Sequence, residues 1–177
     1  MGRSVAREER ILVTLPHTNL KVLKRSRTKP EVGDVFALQL PDDSYIFGRV
    51  IGADLEPPLA PMPLAYLIYI YGCRGPSKLP DLKALTPDQL LLPPVFINRM
   101  PWTKGYFENV ARENLESRML LPQHCFWDAA RARYVDAEQN PLPGEVSPCG
   151  DWALSGYRWL DDQISDALGI PRVPEDA

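Results

Sequence analysis

Val35-Phe36-Ala37-Leu38-Gln39-Leu40, then Pro41-Asp42-Asp43-Ser44, then Tyr45-Ile46-Phe47-Gly48-Arg49-Val50-Ile51, is the stretch that decides the fold. Two runs rich in β-branched and aromatic residues flank a cluster of turn formers, which predicts an antiparallel hairpin. Gly33-Asp34 supplies a turn just ahead of it. Gly48 inside the second run predicts a bulge or a tight bend, of the kind that curls a sheet. Residues 55–63 (LEPPLAPMP) read as a rigid Pro-rich loop, and Leu64 to Tyr71 follows it. That segment is apolar and aromatic on both faces, which predicts a central strand buried on both sides.

Toward the C-terminus, Thr86-Pro87-Asp88-Gln89 is a helix start that Pro93 and Pro94 stop after a turn or two. Val95 to Asn98 reads as a short strand. Phe107, Val110, Ala111 and Leu115 sit at helical spacing and predict a short helix. His124 to Trp127 and Arg133 to Asp136 read as strand pieces. Tyr157, Leu160, Ile164, Ala167 and Leu168 form an apolar stripe, with Ser155 as cap and Gly169-Ile170-Pro171 as stop. The expectation is an α+β fold: a small, strongly curved antiparallel sheet or SH3-like barrel with a C-terminal helix.

Composition bounds the rest. The chain has 177 residues and a net charge of −3, and 45% of its residues are hydrophobic. That is enough to bury a core without disulfide or metal staples. Pro accounts for 19 positions, which limits helix content and favours short elements. A mildly acidic chain argues against a nucleic-acid partner, whose recognition rests on phosphate neutralisation. The longest apolar stretch, Leu64 to Tyr71, falls far short of the ~20 residues that span a bilayer, so no membrane role is expected. The N-terminal segment lacks the apolar core of a secretory signal. Cys73, Cys125 and Cys149 are odd in number and widely spaced, which suits a reducing cytoplasm better than a disulfide framework.

Charge divides the chain into three parts. Residues 1–29 carry eight basic residues against two acids, and residues 151–177 carry six acids against Arg158 and Arg172. We therefore expect a basic N-terminal arm over 1–28, a single α+β domain over 29–170 and an acidic tail over 171–177.

No catalytic constellation is legible, and no catalytic residue is assigned. His17 and His124 are far apart, and no metal-ligand spacing, nucleophile elbow or phosphate-binding Gly loop occurs. His124-Cys125 is the only adjacent soft-ligand pair, and neighbouring strand residues point to opposite faces. We expect neither a metal nor a cofactor. The segment Asn98-Arg99-Met100-Pro101-Trp102-Thr103-Lys104-Gly105-Tyr106-Phe107 is more distinctive. Aromatics and cations around two backbone breakers suit a partner-binding surface, with Arg99, Trp102, Lys104 and Tyr106 as contact residues. The competing account turns Trp102 and Phe107 inward to close the end of the core.

Lys29 to Leu38, Tyr45 to Ile51 and Trp102 to Phe107, in that order and spacing, resemble the immunity protein 26 family, also known as a HocA-type phosphotriesterase family. The resemblance spans roughly residues 28–168. It implies an α+β immunity protein that neutralises a cognate bacterial toxin by direct binding. The second description implies hydrolysis of phosphotriesters, for which the sequence offers no metal-ligand set. The Gly-Asp-Val strand opening also resembles small-barrel nucleases of plasmid-addiction systems, which the acidic charge disfavours. The function expected first is therefore protein–protein neutralisation of a toxin, with phosphotriester hydrolysis as the alternative.

Overall fold

The predicted hairpin forms with its alternation intact. In the computed structural model, which describes residues 16–176, β1 (Asp34–Gln39) pairs antiparallel with β2 (Tyr45–Leu55) from Val35↔Arg49 to Gln39↔Tyr45. The Leu40 N–H closes the turn on Ser44 O at 2.8 Å. Side chains alternate between two apolar layers: Phe36, Leu38 and Leu40 enter one, Val35 and Ala37 the other. β3 (Ala65–Gly75) pairs with the far side of β2 and is buried from Ala65 through Tyr71, as its two-sided apolarity requires.

Two short strands extend this meander. β4 (Val95–Ile97) lies antiparallel to β3, and β5 (Glu108–Arg112) lies antiparallel to the outer edge of β1. β5 replaces the helix expected from Phe107, Val110, Ala111 and Leu115. β1 leaves a row of free backbone groups at its edge, and pairing there satisfies both segments. α1 (Met100–Lys104) joins β4 to β5. β6 (Cys125–Asp128), β7 (Arg133–Val135) and β8 (Cys149–Asp151) form a separate three-stranded sheet, order β7-β6-β8. β9 (Leu154–Ser155) adds to the main sheet parallel to β4, and α2 (Tyr157–Leu168) follows.

Among the described residues the main sheet thus has six strands, in the order β5-β1-β2-β3-β4-β9. It is open and not strongly curled, which corrects the expectation of a strongly curved sheet or an SH3-like barrel; the α+β class stands. Closure is unnecessary because other segments cover both faces. α1 and α2 bring Trp102, Leu160 and Ile164 to one face, while Leu85, Leu120 and Leu121 pack on the other. Gly48 serves a different purpose from the one expected. It keeps regular register opposite Phe36, and a Cβ there would stand 2.3 Å from the Phe36 ring. The irregularities of β2 lie instead at 45–47 and 50–55, against β3.

α2 starts after Gly156, with Ser155 drawn into β9, and ends on Gly169 in the left-handed region at φ 69°. Its stripe buries Leu160 and Ile164, and also Asp161 and Ser165. Asp161 is there to receive the N-terminal segment: its carboxylate accepts from Asn19 N at 2.9 Å and Leu20 N at 2.7 Å. Further along, Lys21 N donates to Gln39 O, Leu23 N to Gly105 O and Ser26 N to Trp102 O, at 3.0, 2.7 and 3.0 Å. Residues 18–26 of the expected basic arm are therefore bound along the domain; residues 1–15 lie outside the described residues.

Candidate functional site

The 98–107 segment is built as a tight turn whose Trp102 and Phe107 point inward. Asn98 Oδ1 accepts from Met100 N at 2.9 Å at the start of α1. Gly105 ends α1 at φ 89°, and a side chain there would press on Val22 and Arg25. Trp102 is 1% exposed. It packs edge-on against Phe36 and Phe107, with centroids 5.2 and 5.0 Å apart, and its Nε1–H donates to Asn109 Oδ1 at 2.9 Å. Asn109 Nδ2 in turn donates to buried Asp34, which also accepts from Arg112 Nε. Trp102 is therefore core, which corrects its assignment as a partner contact. An indole this large is the best available plug between α1 and the sheet, and its one polar atom finds a partner.

The other three expected contact residues lie nearer the surface, and two have partners within the chain. Tyr106 stacks on Tyr157 of α2 at 5.4 Å, and Lys104 Nζ lies 5.1 Å from the centre of the same ring. Both tie α1 to α2. Arg99 is half-buried beside Tyr66, whose hydroxyl donates to Asp54 Oδ1 at 3.0 Å. Burial, followed by that bond to a carboxylate, pushes the Tyr66 phenol up to about 12.

The largest exposed aromatic surface is elsewhere. Trp127 and Trp159 are 36% and 41% exposed. Trp127 belongs to β6, where its neighbours Cys125, Phe126 and Asp128 are buried. It rests against Tyr134 across the β6–β7 ladder. Trp159 sits one position off the apolar stripe of α2, about 100° around the helix from Leu160. Each tryptophan lines a concavity. One, of about 560 Å³, lies between Trp127, Trp152 and the Pro57–Pro61 loop. The other, of about 220 Å³, lies between Trp159, Pro93 and Pro94. Asp151 lines both, so an exposed carboxylate is shared by two adjacent concavities, each walled by an exposed indole, which together make up the groove face. Among the described residues no ion pair engages Asp151. Leu59 and Met62 of the Pro-rich loop are also exposed. A Trp displaced from an otherwise consistent helical stripe was the signal in the sequence for this face.

Among the described residues no three His, Cys, Asp or Glu side chains come together to hold a metal. His124 is committed to Tyr69: the hydroxyl lies 2.7 Å from Nε2 and accepts from Leu121 N at 3.0 Å. Burial holds the His124 imidazole below its ordinary range.

The sequence model of the family described as Immunity protein 26 matches residues 31–136, well over half of the chain. The chain belongs to the Immunity protein 26 family. Comparison with curated proteins and with solved structures finds no match. The stretch shared with Immunity protein 26 runs from just before β1 through β7. It includes Trp102, Asp34, Arg49 and, of the groove, Trp127, the Pro57–Pro61 loop, Pro93 and Pro94. Asp151, Trp152 and Trp159 follow the shared stretch. The family match supports the immunity-protein resemblance and does not extend to its phosphotriesterase description.

Proposed function

We propose that this chain is an immunity protein that neutralises a cognate protein toxin in the bacterial cytoplasm by binding it directly. Membership of the Immunity protein 26 family carries this reading. The groove through Asp151 is the contact face we favour. Exposed indoles in a concave surface supply large contact area at low entropic cost. A carboxylate between them suits a Lys or Arg side chain of the partner, held by charge and by the faces of the rings. Arg99 and the exposed Met100 form a second, smaller contact region at the 98–107 turn, with Lys104 and Tyr106 acting mainly by fixing that turn to α2. None of the described helices is long and apolar enough to cross a membrane.

The test is co-expression with the toxin domain encoded beside this gene. The expected result is restored growth and a stable complex on gel filtration. In that complex Trp127→Ala with Trp159→Ala should lose at least about 2 kcal/mol of affinity. Arg99→Glu with Lys104→Glu should lose less. Growth that stays arrested with both proteins soluble overturns the immunity reading. Full affinity in the tryptophan double variant, with loss in the Arg99/Lys104 pair, moves the contact face to the turn.

A further inference from the structure

β6 and β8 run parallel, and Cys125 is the register partner of Cys149. Their sulfurs stand 2.7 Å apart, closer than two non-bonded sulfurs settle. Cys125 is fully buried, whereas Cys149 is partly exposed and lines the smaller half of the groove. The approach is fixed from behind. A Cβ at Gly150 would stand 2.4 Å from Pro94 O, so β8 is seated directly on the 93–95 backbone and holds Cys149 against β6. Among the described residues no third ligand joins the pair to make a metal site, and neighbouring His124 is engaged by Tyr69.

We infer that Cys125 and Cys149 form a dithiol that closes to a disulfide between β6 and β8, with a low-molecular-weight disulfide such as glutathione disulfide as oxidant. The Cys149 thiolate attacks the S–S bond of the reagent, forms a mixed disulfide and releases one thiol. The Cys125 sulfur, too buried for the reagent to reach, then attacks the Cys149 sulfur and displaces the second thiol. The two cysteines lose two electrons and two protons, and both appear in the two reagent thiols. Burial and the adjacent Cys125 sulfur raise the Cys149 thiol, so closure speeds up as pH rises. Cys73 takes no part. It lies on β3 with its thiol directed to Ala84 O at 3.4 Å.

The experiment treats the purified chain with glutathione disulfide, blocks remaining thiols by alkylation, and digests without reduction for mass spectrometry. The expected result is a Cys125 peptide joined to a Cys149 peptide, with Cys73 alkylated and the intact chain, weighed before alkylation, lighter by two hydrogens. Yield should not change when the chain is diluted tenfold at a fixed concentration of glutathione disulfide, because the bond that closes is intramolecular. Cys73→Ser should keep the link and Cys149→Ser should abolish it. The oxidised chain should melt roughly 5–10 °C above the reduced one. Recovery of both Cys125 and Cys149 alkylated, a lasting glutathione adduct on Cys149, or links only between copies would overturn the inference. None of these readouts involves a toxin.

Discussion

Arg49 is wholly buried, and its guanidinium meets Glu113 across 3.0 Å. The pair joins β2 to the segment just after β5, inside an otherwise apolar layer. Nη1 rests on Met119 Sδ at 2.9 Å, and Nε has no partner among the described residues. Beside it, burial pushes the Tyr71 phenol up to about 12, although the nearby guanidinium acts the other way. A cation placed so depends on its carboxylate. Glu113→Gln should lower stability by about 3 kcal/mol, at the modest end for breaking such a pair because Glu113 is partly exposed. Replacing both residues with apolar ones should cost less than Glu113→Gln alone. Urea unfolding of the three variants checks this, and a Glu113→Gln midpoint equal to the parent's would refute it.

Trp102 fills the space between α1 and the sheet and anchors the Asn109–Asp34–Arg112 relay. Trp102→Ala should cost about 3–5 kcal/mol, because it leaves a cavity and deprives Asn109 of a donor. Trp102→Phe should recover part of that but not the hydrogen bond. Thermal unfolding reads both; a shift of only a degree or two in the alanine variant would mean that Trp102 is not core.

Gly48 faces the ring of Phe36. Gly48→Ala should destabilise by about 1–3 kcal/mol through overpacking, although alanine is the better strand former. Gly48→Ala combined with Phe36→Leu should be less than additive, because the smaller side chain vacates the space. An additive pair in denaturant titrations would locate the strain elsewhere.

His124 gives the fold a dependence on pH. Burial lowers its folded pKa below the ordinary 6.5, so the unfolded chain takes up the proton first as pH falls. Stability contributed by the neutral imidazole is complete above about 6.5 and declines as pH drops from there toward the folded value. His124→Gln should flatten the stability–pH curve in that window. Chemical denaturation at several pH values between 5 and 7 measures it, and equal slopes in parent and variant would count against it.

The hairpin, the doubly buried β3 and the helix α2 were legible because each follows from a local period and its punctuation. The errors arose where a distant partner decides. Phe107 to Leu115 had helical spacing, yet β5 formed because β1 offered an open edge, which no local window reveals. Trp102 could face either way until Phe36, more than sixty positions earlier, claimed it. Cys125 and Cys149 read as unrelated because β6 and β8 are parallel, a pairing that joins segments without a hairpin signal between them. The groove was missed for the same reason: its walls come from the Pro-rich loop, the second sheet and α2.

The bonds from Asn19 have a consequence for the chain as a whole. Asn19 Nδ2 donates to Ser165 Oγ at 2.9 Å and to the Pro171 carbonyl at 2.8 Å, so positions 152 apart in sequence touch. Topologically the polypeptide between them is nearly a closed ring, held by a clasp of polar contacts around the Asp161 carboxylate. A ring can be opened elsewhere. A short linker joining residues 19 and 171, with the chain cut in the exposed 56–59 loop, preserves every strand pairing of both sheets. Such a rearranged chain keeps the same surface while moving its free ends beside the groove.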